Sequence, residues 1–246
     1  MQLQEVLGEL EKAGTAQNRK VYARHGVGPN MYGVSFAALR ALAKRIRTDH
    51  VLAQELWGTG NHDARVLATL IADPASAPPT QIDRWADDLD NYVITDAFSE
   101  FVSRTPHLRA KAEKWMPARG EWVGRTGWRL ATYLAMQDAG LEDDYFEELL
   151  ATIESGIRSS PNWVRDAMNG ALIAIGCRNA KLTRRAIAVA KRIGPVEVDH
   201  GQTGCKTPDA VDYIQKTLDR RQGKAAPSSS AGKREASGPR SGKRGT

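Results

Sequence analysis

Apolar residues recur along this chain at three- and four-residue steps, as in Val6-Leu7-Leu10, Phe36-Leu39-Leu42-Ala43-Ile46 and Val66-Leu67-Leu70-Ile71. That period belongs to helices. It returns in Val93-Ala97-Phe101, Trp128-Ala131-Leu134, Leu149-Leu150-Ile153, Val164-Met168-Ala171-Leu172-Ile175, Ile187-Ala190-Ile193 and Val211-Ile214-Leu218. Strand-like alternation is nearly absent, with Val196 to Val198 the one short candidate. Start signals stand where the periodic runs begin: Ser35, Asn61, Ser160-Pro161 and Thr207-Pro208. A Ser, Thr or Asn there can accept from the free N–H groups of a first turn, and Pro fits the first helical position. Gly58-Thr59-Gly60, Asp73-Pro74 and Gly194-Pro195 separate the runs.

The pattern predicts an all-α chain of about a dozen helices, with helix pairs recurring roughly every 35 to 45 residues, the spacing of HEAT-type repeats. Stacked pairs would form a solenoid with a long concave face suited to an extended partner. An irregular helical bundle is the alternative. No run of 18 apolar residues exists, so no membrane span is expected. The N-terminus mixes acids and bases and lacks the plan of a secretory leader. Two cysteines, Cys177 and Cys205, make no disulfide framework. A monomer in the reducing cytoplasm is the expectation.

The net charge is +6, but it is unevenly placed. Residues 223–246 hold six bases and one acid, a local +5 that leaves +1 for the rest. Rich in Gly, Ser, Ala and Pro, this stretch lacks the apolar surface to fold. The chain therefore divides into a helical domain over 1–222 and a basic, disordered tail over 223–246. The tail would either attract phosphates or serve solubility alone.

Three segments could carry chemistry. In DNYVITDAF, Tyr92 and Asp96 are four apart and share a helical face. A ring beside a carboxylate suits a cationic ligand, although an ordinary helix surface reads the same way. In EWVGRTGWRLA, Arg125 and Arg129 share a face that could grip phosphates, and Arg125 could hold a carboxylate bidentately. In NWVRDAMNGA, Arg165 and Asn169 share a face, and Arg40, Lys44 and Arg47 form a basic stripe on an earlier helix. Each stripe alone is commonly a solvated face; several on parallel helices point to nucleic acid.

Taken in order, the segments GVSFAALRALAKRI, LWGTGNHDARVLATLIADP, DNYVITDAFSEF, RTGWRLATYLA and SSPNWVRDAMNGALIAIG resemble the DNA alkylation repair family of HEAT-like alkylpurine DNA glycosylases, over roughly residues 15 to 220. The resemblance implies a HEAT-like solenoid that binds alkylated or otherwise damaged duplex DNA. It also implies hydrolysis of the N-glycosidic bond of cationic N3- or N7-alkylpurines without metal or other cofactor. Asp96 and Tyr92 fall where active members hold an aspartate and an aromatic residue against the lesion, and the family's arginine falls at Arg125. Asp96, kept ionised by Arg125, would stabilise an oxocarbenium-like transition state and orient water. Arg129, Arg165, Asn169, Arg40, Lys44 and Arg47 would contact DNA. The family's second tryptophan falls at Gly170, so that ring is expected to be missing. A non-catalytic DNA-binding relative, or a HEAT scaffold for protein partners, is the alternative.

The segment VEVDHGQTGCKTP at 196–208 fits no helix. Asp199, His200, Cys205 and Lys206 make it a candidate functional loop beside the active site or DNA. Its spacing matches no zinc pattern, and a Cys–His nucleophile would lack an orienting base. A structured loop that holds backbone groups is the plainer alternative.

Overall fold

The computed structural model describes residues 1–225. Among these it has thirteen α-helices, one 3-10 turn and no strand. Six helices form an inner row in which each packs on the next: α3 (Phe36–Ile46), α5 (His62–Ile71), α7 (Tyr92–Val102), α9 (Glu121–Gln137), α11 (Asn162–Gly176) and α13 (Ala210–Ala225). The others are α1 (Leu3–Ala13), α2 (Ala16–Arg24), α4 (His50–Gly58), α6 (Pro79–Asp87), α8 (Leu108–Trp115), α10 (Asp143–Gly156) and α12 (Ala180–Ile193). This is the layered helical repeat that the periodicity implies. The inner helices start 26 to 48 residues apart, a wider scatter than expected, and the largest step contains the irregular residues 194–209. Val196–Val198 lies in that segment and is not a strand. α13 continues past residue 222, and the rest of the expected tail, 226–246, lies outside the described residues. No helix among the described residues is long and apolar enough to cross a membrane.

Capping follows the sequence in part. Ser35 accepts from Ala38 N at 3.2 Å and Asn61 from Ala64 N at 3.2 Å. Ser160 instead donates to Gly156 O, which leaves Pro161 at the start of α11. Thr207 pairs with His200, and Asp209 accepts the first-turn N–H of Asp212 at 2.9 Å. In both cases a nearby polar group claims the hydroxyl before the helix does.

The core runs unbroken through the stack. Trp57 and Trp85 lie face to face at 4.3 Å, with Phe98 and Phe101 against them. One buried carboxylate fixes the N-terminal end. Asp63, fully buried in the first turn of α5, accepts from the backbone N–H groups of Tyr32, Gly33 and Val34 at 2.6, 3.0 and 2.8 Å. Gly33 takes φ +80°, a conformation open to glycine and strained for other residues. Tyr22 donates to Val34 O at 2.6 Å. Together these bonds hold the α2–α3 connection against α5 and bring His25, just past α2, up to Tyr92 on α7.

Candidate functional site

The site is built where α7, α9 and α11 meet. α9 reaches that position through a close backbone approach. A Cβ on Gly127 would stand 2.3 Å from Met116 N and 2.4 Å from Trp115 C, so only glycine lets α9 lie this near the end of α8. The approach buries the Gly124–Trp128 stretch and carries Arg125 in with it, leaving that side chain 3% exposed.

A buried guanidinium needs compensating charge. Arg125 donates to Asp96 Oδ1 at 3.0 Å, Asp166 Oδ2 at 2.7 Å and Trp163 O at 3.1 Å. Burial works against its charge, but the two carboxylates outweigh burial and hold its pKa above the ordinary value. Arg129, one turn on, places Nε 3.3 Å from the same Asp96 oxygen. This is a charge contact without good hydrogen-bond alignment, because Arg129 Nε has no bonded partner. Two arginines and two aspartates thus form a neutral lattice, with Asp96 as its outermost member at 37% exposure.

Aromatic rings cover this lattice. Trp163 stacks on Tyr92 with centroids 4.3 Å apart and planes 28° from parallel. Arg125 lies under both rings, 5.2 Å from Trp163 and 5.7 Å from Tyr92. Glu121 accepts from Trp163 N at 2.8 Å, so the tryptophan is fixed from both α9 and α11. The Tyr92 hydroxyl meets His25 Nδ1 in a short hydrogen bond. Burial, then negative charge from Cys205 and Asp96, pushes the Tyr92 pKa up to about 12, so the phenol keeps its proton.

Beside Asp96 opens a cleft of about 380 Å³, with mostly apolar walls and Tyr92, Asp96, Glu100, Arg40, Arg129 and Tyr133 among its lining residues. The expected quartet of Tyr92, Asp96, Arg125 and Arg129 therefore meets in one place, with Arg125 beneath the cleft rather than in it. Arg40 faces the same cleft from α3, whereas Lys44 and Arg47 do not line it: Lys44 is exposed on that helix and Arg47 follows its last turn. Arg165 is half-buried. Asn169 is not a free surface group: it is 2% exposed and donates to Pro208 O at 3.0 Å, which ties the 194–209 segment to α11.

That segment folds over the start of α11. Asn162 donates to Asp199 O and accepts from Asp199 N, at 2.8 and 2.7 Å. The Asp199 carboxylate accepts from Gly201 N, a turn-forming bond inside the segment. His200 sets its ring edge against Trp163 at 5.7 Å and pairs with Thr207. Cys205 is exposed, as is Lys206, and Cys177 is buried. Among the described residues no three His, Cys, Asp or Glu side chains converge as a metal site.

Sequence reasoning missed His25, Trp163 and Asp166. Trp163 carries no signal of its own in the sequence, because an aromatic residue in an amphipathic helix is usually core. Asp166 had one available signal: an arginine inside a glycine-lined, apolar face must find compensating acid on a neighbouring helix. The missing ring at Gly170 is also clarified. A ring does reach Tyr92, but it comes from Trp163, earlier on the same helix.

The fold is that of a HEAT-like helical repeat protein. The family model described as "DNA alkylation repair enzyme" matches residues 3–214, and the chain belongs to that family. It is similar to a solved structure described as "a new family of proteins related to the HEAT-like repeat DNA glycosylases with affinity for branched DNA structures". That match has 30% identity and a TM-score of 0.83 over 90% of this chain and 95% of the other. The uncharacterized protein Lin0241 of Listeria innocua is 29% identical over 86% of this chain and 95% of its own length. Lmo0209 of Listeria monocytogenes, also uncharacterized, is 27% identical over the same shares.

Proposed function

We propose that this protein binds duplex DNA along its inner row of helices and recognises DNA structure, rather than excising a damaged base. The observation that carries this reading is the Trp163 ring lying on Tyr92. In active family members that aromatic place faces the lesion; here one face of the ring is already occupied by the protein's own side chain. The electrostatics agree. Stabilising a developing cation takes a carboxylate whose charge is aimed outward, and Asp96 is instead shared between Arg125 and Arg129 within a neutral lattice. The similar structure with affinity for branched DNA supports the same direction. Arg40 and Arg165 are the proposed phosphate contacts, and duplex affinity should fall steeply with salt as counterions are released.

Base excision is the second reading. It is favoured by one observation: Asp96 keeps more than a third of its surface and edges an open cleft. On that reading Asp96 would stabilise the oxocarbenium-like sugar. The two readings part in one experiment, in which the protein is incubated with duplex DNA carrying 7-methylguanine and 3-methyladenine, binding is followed by anisotropy, and free base is measured. Binding without release is expected. Release that Asp96→Asn abolishes, a change typically near 10²- to 10³-fold for loss of a preorganised transition-state partner, would overturn the non-catalytic reading.

A further inference from the structure

The far end of the inner row carries a second, larger groove that shares only Arg129 with the Asp96 lattice. It encloses about 850 Å³ between α9, α11 and α13. Gly170, Ile173 and Ala174 of α11 form its floor, and a Cβ built on Gly170 meets nothing within 4 Å. Tyr213 of α13 lines it with half its surface exposed.

Its charge differs in kind from that of the Asp96 site. Arg178, Arg220 and Arg221 line the groove, and among the described residues none of the three is ion-paired. Arg178 donates to the carbonyls of Ala135 and Leu141, at 3.0 and 3.2 Å, and Arg221 to the carbonyl of Cys177. Carbonyls fix a guanidinium in place without cancelling its charge. Asp138 is the one acid among the lining residues, and it already accepts from Gly140 N at 2.9 Å. Arg129 stands at the end shared with the Asp96 cleft, so the two openings adjoin.

Uncompensated cations around an apolar floor with an exposed ring are the parts of a single-strand platform: phosphates meet the cations and a base stacks on the ring. The space admits a few unpaired nucleotides. A double helix offers that ring no free base face, because its bases are stacked on one another.

We propose that this groove receives an unpaired DNA strand, the single-stranded arm of a branched molecule whose duplex lies along the rest of the inner row. The assignment rests on the duplex-binding reading above. The test measures dissociation constants of the full chain for a blunt duplex and for the same duplex carrying a ten-nucleotide single-stranded flap. Wild type should favour the flap substrate. Tyr213→Ala should lower flap affinity by roughly 5- to 100-fold, the usual consequence of losing one base–aromatic stack, and should change duplex affinity far less. Gly170→Glu, whose Cβ meets nothing within 4 Å, sets a carboxylate on the floor and should erase the preference. Arg220→Gln with Arg221→Gln should reduce the salt slope of flap binding by about 0.7 for each phosphate no longer neutralised. A wild-type protein that binds both DNAs equally, or variants that weaken both by one factor, would overturn the single-strand assignment and leave duplex binding standing. A wild-type protein that binds neither DNA overturns both.

Discussion

The two halves of the inner row use similar residues to opposite ends. At the α7–α9–α11 junction, arginines meet aspartates and their charges cancel. In the α9–α11–α13 groove, arginines meet backbone carbonyls and their charges remain. The glycines divide in the same way: Gly127 lets two backbones touch, and Gly170 leaves empty space. An arginine or a glycine on such a solenoid therefore carries no fixed meaning. What it does depends on whether the facing helix supplies acid, carbonyl or nothing.

Truncation of arginines should expose this difference most strongly. Arg125→Ala removes the cation that Asp96 and Asp166 share. Breaking a buried ion pair usually costs about 3–5 kcal/mol, and the lower end applies here because both carboxylates keep some solvent. Arg220→Ala should leave the urea midpoint unchanged. Equal loss of stability in the two variants would mean that the compensated and uncompensated sites are not distinct.

Alanine at the two glycines should give opposite signs. Gly127→Ala drives a Cβ into backbone at 2.3 Å and should destabilise by about 1–3 kcal/mol or more, as overpacking does. Gly170→Ala meets nothing and should stabilise by about 0.5–1 kcal/mol through the helix preference of alanine. Thermal melts of the two variants read this directly. A stabilised Gly127→Ala would show that α8 and α9 are not held this closely.

The smallest effect is a matter of pH. The Tyr92 pKa stands at about 12, above the ordinary tyrosine value of 10.0. Its contribution to stability is therefore fully present below pH 10 and is lost as pH rises through 12. Burial raises Tyr22, Tyr133 and Tyr145 as well, so the informative quantity is a difference. Across that same pH range wild type should lose more stability than Tyr92→Phe, with denaturant midpoints as the readout. Parallel curves would show that the ring pair with Trp163 and the contact to His25 do not depend on the phenol's proton.

Much of this molecule is legible in its residue order. Three- and four-residue spacing specified helices because each had to bury one apolar stripe. Ser35 and Asn61 marked true starts because their side chains had no nearer partner than the first turn. Tyr92 with Asp96, and Arg125 with Arg129, could be paired from a spacing of four because a helix puts such residues on one face. Ser160 and Thr207 failed as start signals because neighbouring groups claimed their hydroxyls, a competition that spacing cannot record.

Local pattern, then, determined the helices, their order and the residues that share a face, since all of these depend on neighbours a few positions apart. Tertiary structure alone decided that Trp163 covers Tyr92, that Asp166 completes the charge of Arg125, that Asn169 ties down the 194–209 segment, and that Arg178, Arg220 and Arg221 keep their charge. Each of these depends on which side chain a different helix presents. That is fixed by the packing of a whole stack and by a close approach such as the one at Gly127, not by the residues on either side in sequence.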